Sequence, residues 1–289
     1  MRAGLLPKLL LSPSVLLMLV CVYGYIAFTF YLSFTPSGML PILEWRGTEN
    51  YTRLMAQSNW QISVGNLWVF SGLYILIASG LGMLLAVLID QQIRAEGFFR
   101  SICLYPMALS FVVTGTAWKW LLDPGIGLER SLRAAGWESF AFGWIKDNDL
   151  AIYCVVIAAV WQTTGFVMAM FLAGLRGIDH EVINAARMDG ARTWQVYWHV
   201  ILPQMGPVFL SAFVILAHMA IKSYDLVIAL TGGGPGRATW LPSVFMYQYT
   251  FTRNEMAVGA ASATLMLIGI SVVVFPYLMR EYRRVVQHG

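Results

Sequence analysis

Two charged side chains stand inside an apolar stretch of the sequence, residues 204–230, where a charge is costly to bury. Lys222 and Asp225 are three residues apart, so in a continuous helix they would share one face. A carboxylate accepts hydrogen bonds from hydroxyl groups, and Asp225 is therefore a candidate for contact with a polar substrate. The alternative is that Lys222 and Asp225 simply neutralise each other.

A second candidate site lies midway along the apolar run 149–174, where Trp161 is followed by Gln162. An amide at membrane depth needs a hydrogen-bond partner. An aromatic residue beside an amide suits a ligand that carries hydroxyl groups and an apolar face. The alternative is that Gln162 makes a hydrogen bond between two helices.

The longest polar segment, residues 178–203, lies between two apolar runs. Its first part has a helical pattern, Asp189 and Gly190 form a turn signal, and a second helix is expected to end before Pro203. A short helix, a tight turn and a helix that enters the membrane can transmit a rigid-body push. The alternative is an amphipathic helix that lies on the lipid headgroups.

The composition places these residues in a membrane protein. Of 289 residues, 58% are hydrophobic and only 12% are charged, which is far more apolar than a typical soluble domain. A spanning helix needs about 20 apolar residues, and six runs qualify: 13–34, 63–90, 101–122, 149–174, 204–230 and 257–279. The sequence therefore predicts an all-α, polytopic membrane protein with six transmembrane helices, in a single domain over residues 1–289.

The distribution of Lys and Arg predicts the orientation in the membrane. If the N-terminus is cytoplasmic, the inside segments carry ten of these residues, whereas the longer outside loops carry seven together with eight acids. This places both termini and residues 178–203 in the cytoplasm. The first run lacks a signal-peptidase site and is long enough to span, so it is expected to remain as a helix.

Several kinds of chemistry have no support in the sequence. No phosphate-binding motif of the form G-x-x-x-x-G-K-[ST] is present, so the chain is not expected to hydrolyse ATP itself. The four histidines form no motif, and the three cysteines lie singly within apolar runs. No catalytic site, metal site, bound cofactor or nucleic-acid partner is expected, which argues against a membrane enzyme.

The polar segment resembles the cytoplasmic EAA loop of ABC-importer permeases. The family pattern has Glu-Ala-Ala, Asp-Gly-Ala, an aromatic residue, an aliphatic residue and Leu-Pro. This sequence matches it at Ala185, Ala186, Asp189, Gly190, Ala191, Tyr197, Val200, Leu202 and Pro203. Asn184 stands where the pattern has Glu; it keeps hydrogen-bonding ability and lacks the charge. In the family a partner ATPase docks on this loop, and the resemblance implies that the acid helps to hold the loop against it. Glu181, one helical turn before Asn184, is a candidate to share that role.

The resemblance extends beyond this loop to sugar permeases. Thr231-Gly-Gly-Gly-Pro235, preceded by Tyr224-Asp225, is similar to an element after the fifth span of those proteins. The resemblance is to the first permease subunit of the maltose-like uptake group. It implies a bacterial inner-membrane location, a second permease, a dimer of ATP-binding subunits that use the ATP, and a periplasmic sugar-binding protein. Compact outside loops favour a small sugar; a secondary transporter and a glycerol-phosphate permease are the alternatives.

Overall fold

The computed structural model describes residues 5–91 and 94–288, and every regular element in this part of the chain is helical. The all-α prediction is therefore confirmed. The helices are α1 Leu5–Leu32, α2 Glu49–Ala56, α3 Ser58–Asp90, α4 Glu96–Leu104, α5 Phe111–Leu122, α6 Leu128–Ala134, α7 Ala151–Arg176, α8 His180–Met188, α9 Thr193–Val196, α10 Leu202–Gln204, α11 Gly206–Ile221, α12 Asp225–Thr231, α13 Pro242–Tyr247 and α14 Met256–His288. Residue 1 and residue 289, whose cytoplasmic location the sequence predicts, lie outside the described residues.

Within the described residues, four single helices are long and apolar enough to cross a membrane. They are Leu11–Leu32, Ser58–Asp90, Ala151–Arg176 and Met256–Met279, and they coincide with the predicted spans 13–34, 63–90, 149–174 and 257–279. The remaining two predicted spans each fall on a pair of helices joined at a sharp bend. The count is six if each bent pair crosses the membrane as one span.

The predicted third span, 101–122, is wrong as a continuous helix, because the chain turns by 99° between Glu96–Ala108 and Phe111–Leu122. Leu109 leaves the helical region with φ −80° and ψ 146°. Ser110 is the N-cap of α5, and its Oγ accepts a hydrogen bond of 3.3 Å from the backbone N–H of Val113. A serine at this position favours a helix start over an uninterrupted helix.

The predicted fifth span, 204–230, is also broken. Thr193–Gln204 meets Gly206–Ile221 at an angle of 63°. The helix α11 ends at Ile221, Lys222 is its C-cap, and a separate helix, α12, begins at Asp225. Hydropathy indicates how apolar a stretch is but not whether its helix is continuous, so both breaks escaped the sequence analysis.

The backbone contacts group into two compact units, residues 1–61 with 245–269 and residues 62–244 with 270–289. In the first unit, Asn50 Nδ2 donates to the carbonyl oxygens of Ser33 (2.9 Å) and Thr35 (2.8 Å). These bonds fasten α2 to the chain that follows α1. The expectation of a single domain over 1–289 stays a prediction.

The second unit is organised around α7. In its most apolar window 72% of the residues are buried, against 28% for α3. The helices α4, α5, α11 and α12 all contact α7. This central helix ends at Arg176 and leads directly into the predicted cytoplasmic segment, so it links the core of the unit to that segment.

Candidate functional site

The predicted helix–turn arrangement is present at residues 178–192. Asp179 caps α8: its Oδ1 accepts a hydrogen bond of 2.8 Å from the backbone N–H of Glu181. Gly190 has φ +82°, a left-handed conformation that favours glycine. The backbone N–H of Ala191 returns to the carbonyl of Ala186 at 3.1 Å and closes the turn. The turn is therefore set by local sequence, as predicted.

The motif residues of α8 and its turn divide between exposed and packed positions. Ala186 and Ala191 pack against the core of the second unit. The exposed residues are Glu181, Asn184, Ala185, Asp189 and Gly190. The helix thus presents a mostly polar outer face on which a protein partner could dock.

A polar cavity of about 670 Å³ lies behind Asn184. Arg176 lines it and holds two carboxylates, with Nη2 2.8 Å from Glu96 Oε1 and Nε 3.6 Å from Asp90 Oδ1. These ion pairs join the ends of α3, α4 and α7 at the cavity that α8 also lines. Asn184 therefore lines the same cavity as two carboxylates, and its neutral amide adds no negative charge there.

The helix after the turn is longer than predicted. It begins at Thr193, where Gln195 Oε1 accepts a 2.7 Å hydrogen bond from the backbone N–H of Arg192. A π-helical turn, Tyr197–Ile201, then leads into α10, which contains Pro203. The expectation that the helix ends before Pro203 is wrong. In a π turn the backbone bonds connect residues five apart instead of four. This change of pattern lets the helix continue through Pro203, although proline has no N–H to donate.

A smaller cavity of about 230 Å³ brings together three predicted substrate-path residues, Lys222, Tyr224 and Asp225. The remaining lining residues are Phe111, His218, Met219, Ser223 and Leu226. The prediction that Lys222 and Asp225 share one helix face is wrong, because Lys222 caps α11 and Asp225 begins α12. Lys222 is a cation at the C-terminal end of α11, and Asp225 is an anion at the N-terminal end of α12. Each charge therefore interacts favourably with the dipole of its own helix.

The alternative that Lys222 and Asp225 neutralise each other in an ion pair is not what the structure shows. Among the described residues, no salt bridge within 4.0 Å joins Lys222 to Asp225. Both side chains instead line the cavity with Tyr224. This arrangement provides a cation, a carboxylate and an aromatic ring around a space the size of a small polar molecule.

Sequence reasoning missed two lining residues of this cavity, His218 and Phe111. His218 lies four residues before Lys222, near the end of α11, so its helical spacing could have revealed it. Phe111 belongs to α5, which packs closely against α12. Only the tertiary fold reveals that contact, since more than 100 residues separate Phe111 from α12 in the sequence.

Trp161 and Gln162 are adjacent in the sequence but have different surroundings. Trp161 is 41% exposed and makes an edge-to-face contact with Trp118, with ring centroids 5.8 Å apart, beside an apolar cavity. Gln162 is buried, and its Nε2 donates a 2.8 Å hydrogen bond to the carbonyl of Leu109, at the break before α5. The Gln162 amide nitrogen therefore makes a hydrogen bond to another segment of the chain, which agrees with the alternative of a bond between helices. Neither residue is among those that line the cavity of Lys222 and Asp225.

The family model described as "binding-protein-dependent transport system inner membrane component" matches residues 78–282, more than half of the chain. A probable ABC transporter permease of Pyrococcus horikoshii is 39% identical over 95% of this chain and 95% of its own length. A xylose/arabinose import permease of Haloferax volcanii is 32% identical, covering 93% and 85%. An sn-glycerol-3-phosphate permease of Brucella abortus is 30% identical, covering 96% of both.

The fold is also that of a solved importer. A crystal structure of a bacterial ABC transporter involved in alginate import matches with a TM-score of 0.82 at 19% identity, covering 98% of this chain and 96% of that chain. The fold and the family match together define the class, a multi-pass membrane permease. The chain belongs to the family of inner-membrane components of binding-protein-dependent transport systems. It is a permease of an ABC importer and not an enzyme, so the secondary-transporter alternative is wrong.

Proposed function

We propose that this chain is one of two homologous permease subunits of an ATP-driven sugar importer in a bacterial inner membrane. The observation that carries the proposal is the capped helix α8 with its left-handed turn at Gly190, which together expose Asn184, Ala185, Asp189 and Gly190 of the motif. A dimer of ATP-binding subunits docks on this surface and uses the ATP. The chain itself binds no cofactor, and a periplasmic binding protein delivers the sugar.

Charge on the docking surface comes from residues other than the motif acid. Asn184 is neutral, whereas Glu181 is exposed three positions earlier on the same helix. Residues three apart lie on one side of a helix. Glu181 therefore supplies the negative charge that the family pattern places at position 184, and the backbone turn at Gly190 supplies the shape.

The cavity of Lys222, Tyr224 and Asp225 is the proposed substrate path. Trp161 and Gln162, the other sequence-based candidates, lie outside its lining, and Gln162 bonds the carbonyl of Leu109 instead. A sugar suits this cavity because Asp225 accepts hydrogen bonds from hydroxyl groups and Tyr224 offers a ring face. The formal charges of Lys222 and Asp225 sum to zero in the cavity lining, although the two side chains form no ion pair. This favours a neutral substrate. The 230 Å³ volume favours a small one, of monosaccharide size.

A glycerol phosphate is the second candidate substrate. Lys222 and His218 both line the cavity and could hold a phosphate. A relative named for xylose and arabinose and a relative named for glycerol phosphate are almost equally similar to this chain, at 32% and 30% identity. Overall similarity therefore does not separate the two substrates, and the charge balance in the cavity supports the sugar.

Two glycines provide a matched test of coupling. Gly190 and Gly136 both have positive φ, +82° and +104°, and neither would place an added Cβ within 4 Å of described atoms. Valine at either position imposes backbone strain on the order of 1–3 kcal/mol. Gly190 lies in the proposed docking turn, whereas Gly136 lies in a predicted outside loop.

The importer is co-expressed with candidate partner subunits, purified in mild detergent and reconstituted in liposomes. ATP-dependent uptake of labelled xylose, arabinose and glucose is then measured with the binding protein present. We expect Gly190→Val to reduce uptake and ATPase recovery about tenfold, the effect of about 1.4 kcal/mol, and Gly136→Val to leave both nearly unchanged. Equal losses in the two variants would contradict the docking role, and uptake without ATP would contradict the importer.

A further inference from the structure

The helix that follows the coupling turn runs obliquely to the span that it enters. It comprises α9, the π turn and α10, from Thr193 to Gln204, and is called here the connecting helix. It meets α11 at 63°. Spanning helices tilt on average by about 20° from the membrane normal, so if α11 is such a span, the connecting helix is inclined by about 40–80° to that normal.

The connecting helix is apolar on two opposite sides. Val196 is 2% exposed and Ile201 is 6% exposed, and both belong to the core cluster of the second unit. They are five residues apart, the spacing that a π-helical turn brings into line. Trp194 and Trp198 instead are 60% and 68% exposed. The pair Trp194 and Trp198 is called here the tryptophan face.

An exposed aromatic face of this kind needs a covering in the native membrane. Tryptophan combines an apolar ring with an indole N–H, and it is enriched where a membrane meets water. The tryptophan face begins 12 residues before α11 and ends eight residues before it. A position so close to the start of a spanning helix is compatible with the headgroup region of the cytoplasmic leaflet.

The charges of the segment complement such a surface. Arg192 and His199 are exposed on the connecting helix or immediately before it, and the sequence contains no acidic residue from Gly190 to Tyr224. The cytoplasmic leaflet carries anionic lipids that attract basic groups near a spanning segment. By contrast, α8 and the following Asp189 expose two acids, Glu181 and Asp189, together with one base, Arg187. The two sides of the Gly190 turn therefore differ in the sign of their net formal charge.

We propose that the tryptophan face lies among the lipid headgroups and holds the connecting helix in the cytoplasmic surface of the membrane. The polar helix α8 then extends from the Gly190 turn toward the ATPase. When the ATPase displaces α8, the connecting helix transmits that displacement to α11. The proposal rests on membership of the permease family and on the predicted cytoplasmic location of this segment. It does not depend on which substrate is transported.

Spin labelling tests this placement in the assembled importer. Single cysteines replace Trp194, Trp198 or, as a control, Met188 in a chain whose Cys21, Cys103 and Cys154 are changed to serine. Met188 is 83% exposed and ends α8 on the other side of the turn. The labelled importer is placed in nanodiscs of phosphatidylcholine and phosphatidylglycerol. The rates at which each spin label collides with oxygen, which enters lipid, and with a nickel chelate, which stays in water, are then measured.

We expect the labels at Trp194→Cys and Trp198→Cys to show an oxygen-to-nickel collision ratio several times that of Met188→Cys. A ratio equal to that of Met188→Cys would overturn the proposal in favour of a water-exposed helix. Low collision rates with both reagents would overturn it in favour of contact with the ATPase or the second permease.

If the cysteine variants fail to assemble, brominated lipids provide a second measurement. These lipids should quench tryptophan fluorescence less in Trp194→Phe and Trp198→Phe than in the unaltered chain. Unchanged quenching would overturn the proposal.

Discussion

At the scale of single residues, the cavity near the end of α11 depends on where one helix ends and the next begins. Lys222 closes α11 and Asp225 opens α12, so both side chains reach the same space from different elements. A charge placed in an apolar stretch is a reliable sign of a special role, and the sequence identified both residues on that ground. Their relation to each other needed the structure, because the break at residues 222–224 changes their geometry.

Asp225→Asn should weaken sugar uptake more than Lys222→Met does. The amide keeps the shape of the carboxylate but loses charge-assisted hydrogen bonds, each worth about 1.5–3 kcal/mol, so the apparent KM for a monosaccharide should rise at least about tenfold. Initial uptake rates in proteoliposomes over a range of sugar concentrations measure the effect.

The matched control for this measurement is Asp149→Asn, which removes an exposed carboxylate from a loop. It should leave the KM nearly unchanged. If Lys222→Met causes the larger loss and the importer takes up sn-glycerol 3-phosphate, the neutral-sugar proposal is contradicted and the phosphate is the better assignment.

At the scale of helices, close packing in the second unit depends on glycine at particular contacts. A Cβ added to Gly82 of α3 would meet Val167 Cγ1 of α7 at 2.7 Å and the backbone nitrogen of Met168 at 3.0 Å. Gly80, two residues earlier, has no described atom within 4 Å of such a Cβ. Small residues allow membrane helices to approach closely, and here only one of the two glycines has that role.

Gly82→Ala should therefore destabilise the protein, whereas Gly80→Ala should not. Overpacking costs typically about 1–3 kcal/mol, while alanine in an open helical position is favoured over glycine by up to about 1 kcal/mol. Thermal unfolding in detergent, followed by fluorescence or by loss of the soluble monomer peak, gives the two Tm values. A Tm for Gly82→Ala that is no lower than that of Gly80→Ala would contradict close packing of α3 on α7 at Gly82.

The sequence predicts helices well where apolarity and continuity coincide. The run 149–174 corresponds to α7, Ala151–Arg176, because its apolar residues form one unbroken helix. The run 101–122 does not, since Ser110 starts a new helix and Gln162 satisfies the carbonyl of Leu109 at the break. A backbone break at membrane depth is tolerated when such a partner exists. The partner is 53 residues away in the sequence, so no local pattern reveals it.

The same distinction applies to the candidate sites. The turn at Gly190 and the cap at Asp179 are local features; the sequence analysis predicted the turn, and the structure adds the cap. The polar cavity behind Asn184 instead draws on α3, α4, α7 and α8. Its ion pairs, from Arg176 to Asp90 and to Glu96, join residues that are far apart in the sequence. Interactions of this kind require the tertiary fold.

At the scale of the whole molecule, the chain exposes much of its apolar surface. Only 6% of the most apolar window of α1 is buried, and a helix of this kind in a soluble protein would be a strong aggregation hazard. Lipid and the proposed second permease are the environments that suit it. The bias of Lys and Arg toward one side then determines which loops face the cytoplasm.

Impermeant labelling tests this orientation across the molecule. In a chain without native cysteines, Ser139→Cys lies in a predicted outside loop and Met188→Cys lies beside the coupling turn; both native residues are exposed. A maleimide that does not cross membranes should label Ser139→Cys in intact spheroplasts, because the Lys and Arg bias predicts that the loop after α6 faces outward. It should label Met188→Cys only after the membrane is permeabilised.

The reverse pattern would invert every loop of the chain, and the exposed face of α8 would then be inaccessible to an ATPase in the cytoplasm. Such a result would separate the fold, which the family match establishes, from the coupling mechanism, which depends on orientation. The expected pattern would instead place Glu181, Asn184 and Gly190 on the side of the membrane where ATP is available. The positive charges of Arg187 and Arg192, beside the turn, would then lie on the side that the Lys and Arg bias predicts.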